Sequence, residues 1–232
     1  MHGTNIARGV EPDTGKIQVR EIFHTLQGEG PFAGRPAVFV RLSGCNLRCS
    51  FCDTEWDDVN DEHLDWTVLI ERILAAKPPS TSLVVFTGGE PARWQLDRIF
   101  TSLTVEHGLD VQVETAGTLW QEALARIGVH LVVSPKIGKV QENFYSHATH
   151  WKYIVGDDAQ EIGIDGLPLA QTQAGNRGGP PARPPSGATV WLQPMDTGDS
   201  VRNHKAQDLC VALCLKHGYR LSLQQHKIVN LP

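Results

Sequence analysis

Three of the five cysteines fall close together, Cys45, Cys49 and Cys52, with three residues between the first two and two between the last two. One loop with that spacing can wrap three thiolates around a single inorganic centre. Five cysteines in 232 residues are too few for a disulfide scaffold, and clustered thiols in a reducing compartment point to a metal. A structural zinc normally takes four protein ligands, often as two separated pairs. No further Cys or His stands at conventional spacing here, and the nearest, His63, precedes an apparent helix and reads as solvent-exposed. Three thiolates on a four-iron cluster would leave one iron without a protein ligand, open to a substrate or cofactor. Cys210 and Cys214 are different: four apart on the apolar face of a helical pattern, they read as small buried hydrophobes.

Other residues suited to chemistry recur at the ends of short apolar runs: Thr87-Gly-Gly-Glu-Pro91, Glu114-Thr-Ala-Gly117, Ser134-Pro-Lys136 and Gln193-Pro-Met-Asp196. The runs that carry them read as strands over Ile17–Phe23, Ala37–Leu42, Leu83–Thr87, Asp110–Glu114, His130–Ser134, Trp151–Val155 and Val190–Gln193, with Tyr219–Ser222 closing the series. Helical patterns cover Asp65–Ala76, Trp94–Glu106, Leu119–Ile127 and Val201–Lys216. Short apolar strands alternating with helices predict an α/β protein with a mostly parallel sheet covered by helices, either open and doubly wound or an incomplete barrel. In both architectures function gathers at the C-terminal ends of the strands, so one site could collect all four signatures.

The turn Gln27-Gly28-Glu29-Gly30-Pro31-Phe32-Ala33-Gly34 is no dinucleotide fingerprint, because its glycines are misplaced and a strand follows where a helix is required. Residues 1–16 lack periodicity and predict a loose extension before one domain over 17–232. Gln171–Gly187 is rich in glycine and proline and poor in apolar residues, which predicts a mobile surface insertion. The net charge of −5 argues against a partner with a phosphate backbone. No apolar run reaches the ~18–20 residues of a membrane span, and the first residues do not read as a signal peptide. A cytoplasmic protein with neither nucleic-acid nor membrane partner is the expectation.

Cys45-x-x-x-Cys49-x-x-Cys52, with Phe51 before the last cysteine, resembles the signature of the radical S-adenosylmethionine (SAM) superfamily, and Thr87–Pro91 resembles its glycine-rich motif. Residues without side chains let backbone polar groups approach a ligand closely. The flanks narrow the likeness. Leu26-Gln-Gly-Glu-Gly30, Phe39–Cys45, Cys52-Asp-Thr54, Ser134–Lys136, Gln193–Met195 and the run Gln225–Pro232 together resemble the 7-carboxy-7-deazaguanine synthase family, from about residue 17 to residue 232.

The resemblance implies an incomplete barrel and a lyase that converts 6-carboxy-5,6,7,8-tetrahydropterin to 7-carboxy-7-deazaguanine with loss of ammonia. SAM, a 4Fe–4S cluster and Mg²⁺ are the implied cofactors, flavodoxin or ferredoxin the implied reductant, and a homodimer the implied assembly. By the same analogy Cys45, Cys49 and Cys52 ligate iron, while Phe51, Cys52, Asp53, Gly89, Glu114, Ser134, Pro135, Lys136, Gln193, Pro194, Met195 and Asp196 hold SAM. Leu26, Gln27, Gly28, Glu29, Arg41, Thr87, His226 and Pro232 would contact the pterin. Thr54 would offer its hydroxyl to Mg²⁺. Arg41 suits the substrate carboxylate because its planar fork can make two parallel bonds. An α-carboxylate on Pro232 could accept two bonds from the guanidine-like edge of a pterin. On their own, Ser134–Lys136 would be a strand-ending turn with a solvated lysine, Glu114 a helix-capping carboxylate and His226 a solvated histidine. Two rivals remain at this stage. One is a glycyl-radical-enzyme activase of the same superfamily; the other is a non-enzymatic iron–sulfur or zinc protein.

Overall fold

The computed structural model describes residues 9–52, 61–172 and 178–232. β1 (Lys16–Leu26) and β2 (Pro36–Leu42) form an antiparallel hairpin around the glycine-rich turn, and β3 (Glu62–Asp65) pairs antiparallel with the other edge of β1. From β2 onward the pairing is parallel, through β4 (Leu83–Gly88), β5 (Asp110–Thr115), β6 (Val129–Val133), β7 (His150–Val155), β8 (Thr189–Pro194) and β9 (Arg220–Leu221). The order β3-β1-β2-β4-β5-β6-β7-β8-β9 leaves its two ends unpaired with each other, so the sheet is open, as an incomplete barrel requires. The connecting helices are α1 (Trp66–Ala76), α2 (Asp97–Thr101), α3 (Asn143–His147) and α4 (Ser200–His217), and α5 (Gln225–Ile228) follows the last strand. None of the helices is long and apolar enough to cross a membrane, among the described residues.

Strand periodicity of two divides the sheet into two faces with different duties. Val38, Val40, Leu42, Val84, Phe86, Val111, Val113, Leu131, Val133, Trp151, Tyr153, Val155 and Leu192 are buried in the main core, where α1 contributes Leu69, Ile70 and Ile73. The register places Arg41 beside Thr87, Val85 beside Gln112, Glu114 beside Val132, and Ile154 beside Gln193 on the opposite face. Ala37, Leu83 and Val85, with Phe32 and Phe39 against them, fill the N-terminal end of that face. Its C-terminal end carries the polar residues.

Tertiary contacts override two expected helices and tie down parts of two other segments. The helix expected over Leu119–Ile127 is a single 3₁₀ turn at Glu122–Ala125. Gln121 there donates to the carbonyls of Ala92 and Trp94, both at 2.5 Å, and Trp120 packs edge-on against Phe144. The helix expected over Trp94–Glu106 begins only at Asp97, because Trp94 is extended and donates its indole N–H to the Ser43 carbonyl. It ends in a π turn at Ser102–Glu106, where Thr101 and Thr104 bond back to the carbonyls of Asp97 and Phe100. Of residues 1–16, expected to be a loose extension, 1–8 lie outside the described residues, and Glu11 makes two contacts: its N–H donates to the Arg93 carbonyl at 2.6 Å, and its carboxylate pairs with the Arg93 guanidinium. Finally, the segment expected to be a mobile insertion buries Ala182, whose carbonyl accepts from the buried Tyr153 hydroxyl at 2.7 Å and whose N–H donates to the Ile137 carbonyl. Its residues 173–177 lie outside the described residues.

Candidate active site

The cysteine loop starts where β2 ends and rests on the glycine-rich turn after β4. Gly88 has φ +115°, and a Cβ there would stand 2.1 Å from the Leu42 carbonyl oxygen; one on Gly89 would stand 2.0 Å from that of Gly44. Gly89 N–H donates to Leu42 and Glu90 N–H to Gly44. The first use of the missing side chains is therefore to let this turn abut the base of the cysteine loop, before any ligand is considered. Glu90, only 1% exposed, accepts from Thr115 Oγ1, Ala116 N and Ala92 N, and so ties the end of β4 to the end of β5. Burial raises its carboxyl above the ordinary value despite those three donors. Below the loop, a Cβ on Gly44 would collide with the Arg93 guanidinium, so loop and supporting arginine are packed in contact.

A cavity of about 270 Å³ opens over the polar end of the sheet. The three cysteines line one part of it with Phe51 and Gly89. Ser134, Lys136 and Gln193–Asp196 line it from the ends of β6 and β8, and Leu26, Glu29, Arg41, Thr87, His226 and Pro232 from the hairpin, β4 and the tail. Most of the residues expected from the sequence are thus brought together, although they come from seven separate stretches of chain. Gln27, Gly28 and Pro135 do not line the cavity. The Gln27 amide oxygen accepts from Glu29 N and shapes the turn, while Gly28 makes room for the His226 ring, whose Nδ1 would lie 2.1 Å from a Cβ there. Asp53 and Thr54 lie outside the described residues.

At the floor sits a residue that the sequence reading missed. Lys152, on β7 between Trp151 and Tyr153, is 6% exposed and lines the cavity. Its Nζ lies 2.5 Å from Glu29 Oε2 and 2.9 Å from Glu114 Oε2. Gln193 and Gln224 donate to the other Glu29 oxygen, at 3.2 and 3.0 Å, and Gln112 donates to Glu114. Burial alone would raise Glu29, but Lys152, with the Gln224 amide and His226, outweighs it and holds Glu29 below the ordinary carboxylate value. Burial dominates at Glu114 and raises it against the pull of Lys152. Burial would lower Lys152, yet the two carboxylates hold it well above an ordinary lysine. The floor is a fixed cation between an ionised carboxylate and a carboxyl that holds its proton more tightly. A lysine in the middle of an apolar strand was the available signal, since an unpaired buried ammonium is prohibitively costly.

The tail closes the cavity on the hairpin side. Gln225 N–H donates to the Gly28 carbonyl, and the Pro232 carbonyl accepts from Thr25 Oγ1 at 3.3 Å. Lys227 Nζ lies 2.6 Å from Asp196 Oδ2, which joins α5 to the Gln193–Asp196 turn. That bond, with donors from Gly198 and Asn203, brings Asp196 down to about 2. Arg41 is oriented before any ligand arrives: its Nη1 lies 2.5 Å from Glu21 Oε1, and its guanidinium covers the Phe23 ring at 5.4 Å.

Three thiols on one cavity wall are the kind of donor set an iron–sulfur centre with one open coordination position takes, although among the described residues no three His, Cys, Asp or Glu side chains are gathered closely enough to hold a single metal ion. Three soft thiols line one cavity beside the groups just described, and burial, then Glu90, pushes Cys45 up to about 12. Without a cation this site favours the neutral thiol; a metal centre offsets that cost by binding the thiolate.

Residues 39–140 match the model of the radical SAM superfamily. A 7-carboxy-7-deazaguanine synthase of Rhodospirillum rubrum is 38% identical over 241 residues, covering all of both chains. That of Rickettsia prowazekii is 35% identical, covering all of this chain and 96% of its own, and that of Escherichia coli K12 is 29% identical, covering 92% and 98%. The crystal structure of QueE from Escherichia coli superposes with a TM-score of 0.67 at 24% identity, covering 90% of this chain and 94% of that one.

Proposed function

From the chain's membership of the 7-carboxy-7-deazaguanine synthase family, radical SAM enzymes of 7-deazapurine biosynthesis, we propose the reaction and the residues that serve it. The substrate is 6-carboxy-5,6,7,8-tetrahydropterin, the products 7-carboxy-7-deazaguanine and ammonia. The observation that carries the reading is the cavity itself, where three thiols and a carboxylate-rich floor meet one arginine. A 4Fe–4S cluster and SAM, implied by the family, supply a 5′-deoxyadenosyl radical when bound and reduced.

Cys45, Cys49 and Cys52 hold the cluster, and Gly89, Ser134, Lys136 and Gln193–Asp196 face SAM from the strand ends. Glu29 accepts from the donor edge of the pterin, and Lys152 keeps it ionised for that task. Arg41 takes the substrate carboxylate; its bond to Glu21 limits the directions its fork can face. Thr54 with Mg²⁺, a flavodoxin or ferredoxin as electron donor, a homodimer and a cytoplasmic setting complete the reading.

The test is anaerobic reconstitution, followed by iron and sulfide analysis and product detection from the pterin. Formation of 7-carboxy-7-deazaguanine supports the proposal; a four-iron protein that cleaves SAM yet leaves the pterin intact overturns it. Arg41→Lys keeps the charge and loses the fork. It is expected to cost roughly a hundredfold in kcat/KM for the pterin, in the range set by losing a bidentate charged contact. SAM cleavage without pterin should stay within about twofold of the parent. Unchanged pterin kinetics in that variant would remove Arg41 from the substrate site.

A further inference from the structure

Thr172 sits at the start of the Gly/Pro-rich segment and touches two parts of the site at once. Its carbonyl accepts from the Ser50 N–H at 2.9 Å, inside the cysteine loop, and its own N–H donates to the Lys136 carbonyl at 3.2 Å. Its hydroxyl lies 3.6 Å from Cys49 Sγ, within hydrogen-bond reach of a sulfur acceptor, and 3.4 Å from the Lys136 carbonyl. The Lys136 ammonium lies 5.9 Å from the centre of the Phe51 ring, so the same two pieces also meet beside the threonine. Cys49 is thus held from outside its own loop by a residue far along the chain.

We propose that Thr172 is a positioning residue for the iron–sulfur centre, joining the cysteine loop to the Ser134–Lys136 turn and donating its hydroxyl to the Cys49 sulfur so as to favour the reduced centre. This rests on the cluster reading given above. Adding one electron raises the negative charge on the cluster and its ligand sulfurs, so a donor aimed at a sulfur stabilises the reduced form more than the oxidised one. The backbone bonds of Thr172 come from its N–H and carbonyl and survive any side-chain change. Valine matches threonine in shape and removes the donor; serine keeps it.

The experiment poises the reconstituted protein with dithionite, without SAM or pterin, and reads the reduced cluster by electron paramagnetic resonance at several fixed potentials. Dithionite supplies the single electron, so the readout does not depend on turnover. Thr172→Val should lower the ratio of reduced to oxidised centre roughly threefold at a given potential, the effect of a fraction of one hydrogen bond, while Thr172→Ser stays at the parental ratio. Should valine fail to load iron, Thr172→Ala gives the same comparison against serine. A parental ratio in the valine or alanine variant overturns the proposal. Equal losses with serine and valine also overturn it, because packing and not the hydroxyl would then be responsible. A parent protein that assembles no four-iron centre overturns the cluster reading instead.

Discussion

Alanine at Cys45, Cys49 or Cys52 is expected to abolish assembly of the four-iron centre, and with it all SAM cleavage, whereas alanine at Cys210 or Cys214 leaves iron and sulfide at parental levels. The three loop cysteines line one cavity, and a cluster already short of one protein ligand cannot lose a second without exposing another iron. Cys210 is fully buried in the core against α4's own side of the sheet, with burial pushing its thiol to about 12, and Cys214 packs against the same core. Their thiols act as hydrophobes, so their replacement should cost stability but no iron. Iron and sulfide analysis after anaerobic reconstitution separates the two groups. Loss of iron in either helical variant would show that the ligand set is wrong.

Lys152→Met is the second change with a large expected effect. It leaves Glu29 and Glu114 buried without their shared cation, and breaking a buried pair by removing one partner typically costs ~3–5 kcal/mol. Because the Lys152–Glu29 and Lys152–Glu114 contacts are deeply buried, most of that cost should appear as lost stability. One carboxyl must then protonate, and Glu29 would no longer be held as an ionised acceptor. We expect pterin turnover to fall by at least about a hundredfold, the scale of losing one fixed electrostatic group from a water-poor site.

Adding Glu114→Gln to Lys152→Met removes one of the two orphaned ionisable carboxyls, so that Glu29 no longer faces a second acid, and should recover part of the stability, a coupling that a double-mutant cycle measures directly. Additive losses would mean the three groups do not act as a unit. The pH dependence carries opposite signs at the two carboxyls. Glu29 is lowered from 4.5, so its stabilisation is present above that value and is lost as pH falls through the lower folded value. Glu114 is raised from 4.5, so its contribution is present below that value and fades as pH rises through the higher folded one. Thermal melts across the acid range should therefore respond in opposite senses to Glu29→Gln and Glu114→Gln.

The strands were legible because each is a local object. Short runs enriched in apolar and β-branched residues and bounded by turn formers read as strands, and every strand except β3 agrees with an expected one to within a few residues. The one long amphipathic helix, Ser200–His217, was equally plain; its Asp199 cap accepts from Val201 and Arg202, and Gly218 ends it at φ +73°. The two helical patterns on either side of β5, residues 94–106 and 119–127, were not legible as they fold. Their helical periodicity competes with Trp94 and Gln121, whose polar atoms are claimed by Ser43, Ala92 and Trp94, and those partners are invisible to a local pattern. β3 was missed because four residues carry too little periodicity, and it exists by pairing with β1.

The sequence by itself determined the cysteine loop, the strand-end motifs and the alternation of strand and helix, all of which depend on neighbours a few residues apart. The Gly-Gly pair was recognised too, and the fold uses its missing side chains to bring the turn against the backbone of Leu42 and Gly44. What the tertiary structure decided is which distant groups share a site. Parallel register set Arg41 beside Thr87, and the spatial neighbourhood of β5, β7 and the hairpin turn brought Glu114, Lys152 and Glu29 within bonding distance of one another. Lys152 is hidden in the sequence by the apolar residues on either side of it, since these face the core while it faces the cavity. Pairing a charge in low dielectric needs a partner within a few ångströms, and only the folded chain brings residues more than a hundred positions apart to that distance.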